Sequence, residues 1–417
     1  MTTPAQPSTW LDVPGDHPFG IHTLPYGVFS TSYDPERRVG VRIGDHVLDA
    51  GAVAAIGRDA GLVGDGPDLA TAWLTPSLNA FLALGRPAWT VARQWLTEVL
   101  GDEVHRDGVS PHLHPLADVE LHLPVEVADY VDFYASEDHA SNVGKIFRPE
   151  NAALPPNWKH LPIGYHGRSG TVVVSGTDVV RPTGQRKAPS DPAPVFGPST
   201  RLDIEAELGY VVGGATELGS RVSVDEAPNH LFGVVILNDW SARDIQAWEY
   251  VPLGPFLGKS FATSVSAWVT PLDALTSARI PVPGQADPQV LPYLRGDAFG
   301  LDVHLEVALN GTVVSRPEHA AMYWSPAQML AHLTVNGASI RNGDLFASGT
   351  ISGPSRDSRG SLLELTWNAT EPITLDDGTT RGFLEDGDTV TMTAWAPGPD
   401  GARIGIAEVT GTIVPAH

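Results

Sequence analysis

The amino-acid sequence predicts a mainly β protein with some α-helix, built as a small N-terminal domain followed by a large β-rich domain. The chain has 417 residues, which is too long for one ordinary domain. Its 43 Gly and 36 Pro residues indicate many turns. From about residue 118 onwards, short strand-like runs alternate with Gly- and Pro-rich connections. We therefore predict domains at residues 1–117 and 118–417.

The N-terminal part combines a β-hairpin with helices. Residues 40–49 alternate in hydrophobicity around Gly44-Asp45, which is typical of a hairpin. Apolar residues between positions 76 and 100 recur at helical spacing, with an expected break at Gly85-Arg86-Pro87. This combination predicts a small barrel or an α+β domain.

In the larger part, strands are predicted from short runs of apolar and β-branched residues. The predicted strands are 171–175, 202–212, 231–237, 301–309, 362–367 and 389–395. Two helices are predicted from their first residues. A capping box at Ser241 opens a helix at 242–249, and Ser325 followed by Pro326 opens another.

Composition narrows the classes of function. The net charge is −23, from 26 basic and 49 acidic residues, which argues against nucleic acid or an anionic membrane surface as a partner. No cysteine is present, so disulfides, thiolate catalysis and thiolate–zinc sites are excluded. No segment has the length of a membrane span, and residues 1–6 lack the pattern of a signal peptide. We expect a cytoplasmic enzyme.

Four carboxylates in the middle of the chain indicate a divalent-metal site. They are Asp132, Glu205, Glu207 and Asp239. Asp203, Glu205 and Glu207 alternate with apolar residues and so share one face of the predicted strand. Asp239 ends an apolar run, where an unpaired acid is a poor structural choice. Carboxylates kept close together need a cation between them.

The spacing of these acids also allows structural explanations. Glu205 and Glu207 fit a half-buried strand with a solvated acidic face, which is the commoner situation for an isolated pair of this kind. Asp239 would serve as a helix cap, although Ser241 already supplies a cap for the same helix. Whether Asp239 lies near Glu205 and Glu207 does not follow from spacing.

Other polar residues lie where a purely structural role is less obvious. Lys259 falls in a Gly- and Pro-rich apolar loop, where it either reaches out to water or holds a proton for catalysis. Glu364 lies in the predicted strand 362–367 and needs a partner such as a histidine. Arg243 and Gln246 share a helix face, a pair that is more often solvent-exposed than catalytic.

Two further candidates lie in predicted loops. His139 follows Asp132 by seven residues in a polar segment, and most histidines in such positions are surface residues. Thr350 is in a Gly-rich segment that we interpret as a flexible loop able to close over a ligand.

Five segments together resemble the fumarylacetoacetase family, and a sixth extends the likeness to the N-terminus. They are 132–144, 161–168, 238–246, 252–261, 347–354 and 24–30. The resemblance implies an N-terminal SH3-like barrel, a C-terminal mixed β-roll domain and a homodimer. It also implies hydrolysis of a carbon–carbon bond in a small diketo acid, 4-fumarylacetoacetate, to fumarate and acetoacetate. That reaction is the last step of tyrosine and phenylalanine catabolism.

The resemblance also implies roles for the candidate residues. The four carboxylates would bind Ca²⁺ or Mg²⁺ chelated by the diketone, and all-oxygen ligation suits these ions. His139 would act as the general base, oriented by Glu364. Lys259, Arg243 and Gln246 would stabilise the departing carbanion, with Lys259 as its proton donor. The substrate-binding residues would be Tyr134, Arg148, Tyr165, Tyr250 and Thr350.

Other functions are open at this stage. Acylpyruvate hydrolases, oxaloacetate decarboxylases and related enzymes that act on diketo acids share the catalytic domain and its acidic metal ligands. The long N-terminal domain and the set of Arg243, Gln246 and Lys259 beside His139 favour fumarylacetoacetate as substrate. A non-catalytic metal-binding homologue would be expected to lack His139, Glu364 or Lys259, and all three are present.

Overall fold

The structure is a computed structural model that describes residues 8–59, 68–150 and 152–417. Residues 1–6, where we found no signal-peptide pattern, lie outside these ranges. The predicted fold class, mainly β with some α-helix, is confirmed. None of the helices in the described ranges combines the length and the apolar character needed to cross a membrane.

Helices are short, apart from α4. Those described are α1 (Ala50–Asp59), α2 (Leu69–Trp73), α3 (Asn79–Ala83), α4 (Gly85–Gly101), α5 (Arg106–Val109), α6 (Glu137–Phe147), α7 (Arg243–Glu249), α8 (Pro326–Thr334) and α9 (Leu362–Leu365).

Strands make up most of the architecture. In the first half of the chain they are β1 (Tyr26–Thr31), β2 (Asp34–Ile43), β3 (His46–Asp49), β4 (Leu113–Pro115), β5 (Val119–His122), β6 (Tyr130–Phe133), β7 (Gly164–His166), β8 (Val172–Val174), β9 (Val179–Val180), β10 (Thr183–Arg186), β11 (Val195–Pro198), β12 (Leu202–Asp203) and β13 (Ala206–Val212). In the second half they are β14 (Leu231–Asp239), β15 (Ser241–Ala242), β16 (Thr263–Val265), β17 (Trp268–Pro271), β18 (Arg279–Pro281), β19 (Phe299–Leu301), β20 (His304–Leu309), β21 (Thr312–Ser315), β22 (Leu345–Ala347), β23 (Ile373–Thr374), β24 (Thr380–Arg381), β25 (Thr389–Pro397) and β26 (Arg403–Val414).

A 13-stranded sheet connects the N-terminal strands to the centre of the molecule. Its main path runs β4-β3-β2-β1-β17-β14-β13-β22-β6-β7, with β5, β8 and β16 attached at the side. The junction is the antiparallel pair β1–β17, where Tyr26 lies opposite Val269. A second sheet of five strands has the order β21-β20-β25-β26-β9. The division into domains at residues 117 and 118 stays a prediction.

The predicted N-terminal elements are present. The hairpin is formed by β2 and β3, and Gly44 takes a left-handed φ of 54° at its turn. The helical segment breaks within Gly85-Arg86-Pro87 as predicted: α3 ends at Ala83, Leu84 keeps helical φ and ψ, and Gly85 takes a left-handed φ of 76°. Residues 85–87 also begin α4, because proline is tolerated in the first turn of a helix, where its missing N–H is not needed.

Four predictions in the larger part were wrong or incomplete. The strand 362–367 is the short helix α9, because Ser361 Oγ accepts a hydrogen bond from the backbone N–H of Glu364. Ser241 does not cap α7, since its hydroxyl donates to the carbonyl of Asp239 at 2.9 Å. The strand 202–212 is interrupted between β12 and β13, and the strand 301–309 is interrupted between β19 and β20. The capping box at Ser325 is confirmed.

The hydrophobic core surrounds the central strands and holds them in place. One large cluster includes Trp158, Trp240 and Trp324, all fully buried. A second cluster packs the N-terminal helices on the other face of the sheet and includes Trp73 and Phe232. Burial of large aromatic side chains on both sides makes the sheet a rigid support for the polar residues at its edge.

Candidate active site

The carboxylates predicted as metal ligands come together at one edge of the large sheet. β13 lies between β14 and β22, and β6 follows β22. Glu207, at the start of β13, lies opposite Leu237, near the end of β14. Ala347 pairs with Asp132, at the end of β22 and β6. The N-terminal end of β13 and the C-terminal ends of its neighbours therefore meet at this edge, and the acids project from them.

These four carboxylates form a compact buried group. Asp132, Glu205, Glu207 and Asp239 each offer an oxygen atom, and these atoms lie within 4.8 Å of one another. All four residues are at most 4% exposed, so the solvated acidic face that the spacing allowed is excluded. Placing so many acids together in the interior costs free energy unless positive charge offsets their repulsion.

Two of these carboxylates have an oxygen without a partner. Asp132 Oδ1 and Glu207 Oε1 are buried and accept no hydrogen bond from any described residue. Burial raises the pKa of both carboxyl groups well above the usual range, and the neighbouring carboxylates raise it further. A hard divalent cation fits this donor set, because it would bind the orphaned oxygens and offset the repulsion.

Lys259 is buried within the acidic group and does not reach out to water. Its ammonium group donates to Asp239 Oδ2 at 2.6 Å and to Glu205. Burial by itself lowers the pKa of Lys259, but Asp239 and Glu205 outweigh it and raise that pKa above the usual value. Lys259 is therefore held in its protonated form, which a proton donor requires.

Arg243 is also buried, which corrects the expectation of a solvent-exposed helix face. Its Nη2 donates to Glu205 Oε1 at 2.6 Å, and its Nη1 donates to Gln246 Oε1 at 3.2 Å. Although burial by itself raises it, the pKa of Glu205 is held below its usual range by Lys259 and Arg243. Two cations thus face four carboxyl groups, so the acids outnumber the positive charges beside them.

His139 lies in helix α6 and not in a polar loop. The helix begins after Ser136, whose Oγ accepts from the backbone N–H of His139. The residue is 3% exposed. Its Nδ1 lies 2.7 Å from Glu364 Oε2, and its Nε2 lies 4.0 Å from Glu205 Oε1. The histidine partner that a buried Glu364 requires is therefore present.

Glu364 is held by several donors besides His139. Its Oε2 also accepts from Ser352 Oγ at 2.9 Å and Ser361 Oγ at 2.8 Å, and its Oε1 accepts from Asn142 Nδ2 at 2.9 Å. Burial by itself raises the pKa of Glu364, but His139 and these donors lower it below the usual value. Glu364 is therefore an ionised carboxylate with a fixed orientation.

A cavity of ≈ 430 Å³ lies beside the acidic group, the two buried cations and His139. Among the described residues, its polar lining includes Asp132, His139, Glu205, Arg243, Gln246 and Lys259, together with the five predicted substrate-binding residues Tyr134, Arg148, Tyr165, Tyr250 and Thr350. Tyr165 donates to Asp239 Oδ2 at 3.2 Å, whereas Tyr250 is 40% exposed at the mouth. Thr350 is buried and its Oγ1 has no described partner, so its segment is a packed part of the wall.

Comparison with known proteins identifies the family. Residues 22–124 match the family model described as Fumarylacetoacetase N-terminal, and residues 129–414 match Fumarylacetoacetate (FAA) hydrolase C-terminal. The fumarylacetoacetase of Homo sapiens is 46% identical over 423 residues, covering 98% of this chain and 99% of the relative. That of Arabidopsis thaliana is 46% identical over 419 residues, with 98% of each chain covered. The chain belongs to the fumarylacetoacetase family. It is an enzyme of the hydrolase class.

Solved structures of lower identity share the fold. A fumarylacetoacetate hydrolase from Exiguobacterium antarcticum aligns with a TM-score of 0.55 at 17% identity, covering 94% of this chain and all of that chain. A maleylpyruvate hydrolase from Sphingobium sp. SYK-6 aligns with a TM-score of 0.50 at 15% identity and the same coverage. These likenesses support the architecture.

Sequence reasoning missed several residues of the candidate site. Asp203 shares the acidic pattern but is bound to Arg243 and lies apart from the four-carboxylate group. Asn142, Ser352 and Ser361 hold Glu364 and were not singled out. The spacing Ser361-x-x-Glu364 is a capping-box pattern and would have indicated both the helix and the serine. No comparable local signal marks Asn142 or Ser352, which meet Glu364 only through tertiary contacts.

Proposed function

We propose that this chain hydrolyses the carbon–carbon bond of 4-fumarylacetoacetate and releases fumarate and acetoacetate, the last step of tyrosine and phenylalanine catabolism. The observation that supports this most directly is the convergence of three groups on one cavity. These are the His139–Glu364 pair, the acidic group and the cationic side chains Arg243 and Lys259. Names and identities of the relatives support the choice of substrate.

Water activation is assigned to His139. A carboxylate only accepts hydrogen bonds, so the contact with Glu364 keeps the ring proton on Nδ1 and leaves the lone pair on Nε2. That nitrogen borders the acidic group, because it is 4.0 Å from Glu205 Oε1. His139 then takes a proton from water while the water oxygen bonds to the carbonyl carbon of the fumaryl group, which becomes a carboxyl carbon of fumarate. Such a positioned base contributes about 10²–10⁴-fold to the rate.

Departure of acetoacetate places an electron pair on carbon. The bond between the attacked carbon and the adjacent methylene breaks, and its electrons stay with the methylene. Lys259, which the adjacent carboxylates hold protonated, donates a proton to this carbon. Arg243 and Gln246 line the same cavity and stabilise the negative charge that develops. A donor of this kind contributes about 3 kcal/mol to transition-state stabilisation.

The acidic group is proposed to hold Ca²⁺ or Mg²⁺, with Asp132, Glu205, Glu207 and Asp239 as ligands. When bound, the cation supplies Lewis-acid stabilisation of charge on the diketone oxygens. The orphaned oxygens of Asp132 and Glu207 support this assignment. The substrate has two carboxylates, for which Arg148 offers a cation and Tyr134, Tyr165, Tyr250 and Thr350 offer hydroxyl groups along the cavity.

The decisive experiment follows the loss of diketone absorbance when fumarylacetoacetate is mixed with the purified protein. The reaction is run with a chelator and again after Mg²⁺ or Ca²⁺ is restored, and products are identified by chromatography. Metal-dependent loss with fumarate and acetoacetate as products is expected. If fumarylacetoacetate is not consumed but an acylpyruvate is hydrolysed, the proposed substrate is wrong and an acylpyruvate takes its place. Metal binding without turnover of any diketo acid would overturn the catalytic proposal.

Assembly and location are further proposals that rest on the family resemblance. We propose a homodimer, to be tested by light scattering after size-exclusion chromatography. A molar mass of one chain, 44.3 kDa, across the working concentration range would contradict it. We also propose a cytoplasmic location, which fractionation of the source cells would test.

A further inference from the structure

Asp203 is a fully buried carboxylate that the proposed chemistry does not use. Its Oδ2 accepts from Arg243 Nε at 2.7 Å and from the backbone N–H of Leu363 at 3.2 Å. Its Oδ1 accepts from the backbone N–H groups of Leu362 at 2.7 Å and Ile204 at 2.8 Å. The residue is 0% exposed and is not among the described residues that line the cavity. Its four partners therefore satisfy it completely inside the protein.

These contacts tie together two parts of the catalytic machinery. Arg243 faces the cavity and also binds Glu205, so the Asp203 contact on its Nε fixes the direction of the guanidinium plane. Leu362 and Leu363 are the first residues of helix α9, which carries Glu364. One carboxylate thus reaches the charge-stabilising arginine and the helix that orients the general base.

Both parts need such support. An arginine side chain has several rotatable bonds and loses positional precision when one of its anchors is removed. Helix α9 has only four residues, which is too short to be stable by its own hydrogen bonds. Its first N–H groups are satisfied by Asp203 across a separation of 159 residues in the chain.

We propose that Asp203 is a positioning residue, which holds Arg243 and the start of α9 in the geometry that catalysis requires. The inference rests on the proposed function, because it assumes that Arg243 and Glu364 act in catalysis. Asp203 itself contacts neither the cavity nor the group of four carboxylates by hydrogen bonds.

The test is the substitution Asp203→Asn, which keeps the shape of the side chain. An amide has one acceptor oxygen, so its NH₂ group must face either Arg243 or the N–H groups of α9. We expect kcat to fall by about 10²-fold, as for loss of one oriented donor. KM and the affinity for Mg²⁺ or Ca²⁺ are expected to change by less than about threefold, because the carboxylate group and most of the cavity wall are untouched.

Asp388→Asn is a matched control. Asp388 is also buried, at 2% exposure, and accepts hydrogen bonds from Arg381, Asn310 and the backbone of Glu385. It is not among the described cavity residues. We expect this variant to lower the melting temperature while kcat per folded molecule stays unchanged.

A double-mutant cycle distinguishes positioning from general destabilisation. If Asp203 acts through Arg243, then Asp203→Asn lowers kcat much less in an Arg243→Gln background than in the wild type. A kcat per folded molecule equal to that of wild type would overturn the inference. If Asp203→Asn does not fold, Asp203→Ser replaces it, and failure of both while Asp388→Asn folds would assign Asp203 a structural role only.

The proposed function fails or holds independently of this result. Turnover of fumarylacetoacetate by the wild type decides the function. The ratio of variant to wild-type kcat decides the role of Asp203, and it is measured on whichever diketo acid the wild type hydrolyses.

Discussion

His139 and Glu364 are 225 positions apart in the chain, yet His139 Nδ1 lies 2.7 Å from Glu364 Oε2. His139 belongs to helix α6 and Glu364 to helix α9. The Glu364 carboxylate also accepts hydrogen bonds from Asn142 of α6, from Ser361 at the start of α9 and from Ser352. Because every described partner of the Glu364 carboxylate donates to it, the pair has one preferred orientation. The tautomer of His139 follows from that orientation.

Replacing Glu364 with glutamine should show how much the His139–Glu364 hydrogen bond contributes to kcat. The amide of Glu364→Gln cannot accept at both atoms, so either His139 and the two serines lose their shared acceptor or Asn142 loses its own. We expect kcat to fall by about 10²–10⁴-fold, since the ring no longer keeps the correct tautomer. Steady-state kinetics with metal-saturated enzyme measure the effect. Glu371→Gln, at an exposed position shortly after α9, should leave kcat unchanged. A kcat for Glu364→Gln within threefold of wild type would disprove the role.

Lys259→Met should separate proton donation from metal binding. Methionine has a similar length but no charge, so Asp239 and Glu205 lose their ammonium partner while the carboxylate ligands stay. We expect turnover to fall by at least about 10²-fold. Calorimetric titration should still show binding of Mg²⁺ or Ca²⁺. Lys145→Met, on the exposed face of α6, is the matched control and should behave as wild type. Near-normal turnover by Lys259→Met would rule out the donor role.

Cation binding should be visible as a gain in stability. A ligand that binds only the folded state at 100 times its Kd stabilises that state by about 2.7 kcal/mol. We expect the melting temperature of the wild type to rise when Mg²⁺ or Ca²⁺ replaces a chelator. In Asp132→Asn the rise should be smaller at the same cation concentration, because one orphaned carboxylate oxygen is removed. Asp45→Asn, at an exposed hairpin turn, should respond as wild type. Equal shifts in all three proteins would contradict the site.

Stability should fall between pH 6.5 and pH 4 because of His319. This histidine is fully buried, its Nε2 lies 2.7 Å from the hydroxyl of Tyr210, and burial lowers its pKa from 6.5 to about 4. As the pH falls below 6.5, the unfolded chain binds a proton that the folded chain does not. The free energy of unfolding therefore decreases until about pH 4. The loss amounts to about 3 kcal/mol, at 1.36 kcal/mol per pKa unit.

Urea unfolding at several pH values measures this effect. His319→Gln should show a smaller loss of unfolding free energy between pH 6.5 and pH 4 than the wild type. His166→Gln, which changes an exposed histidine, should keep the wild-type pH dependence. An unchanged slope in His319→Gln would show that other groups cause the acid sensitivity.

Local patterns predicted those parts of the site that depend on neighbouring residues in the chain. Alternation placed Glu205 and Glu207 on one side of a strand, and the apolar run before Asp239 indicated a buried acid. The helix at Leu362–Leu365 was predicted as a strand, because a segment of three leucines and one glutamate is too short for its periodicity to distinguish the two. The exposure of Arg243 was also predicted wrongly, since burial of a charged residue depends on partners from elsewhere in the chain.

By itself, the sequence determined the fold class, the positions of the acids and the likeness to the fumarylacetoacetase family, because strand alternation and motif residues are encoded over short distances. The tertiary structure decided which carboxylates meet. It brought Asp132 beside Glu207 through β22 and turned Asp203 towards Arg243 and α9. It also gave Glu364 its histidine. These choices depend on sheet register and on hydrogen bonds between distant segments, and a buried charge is stable only where the fold brings its partners to it.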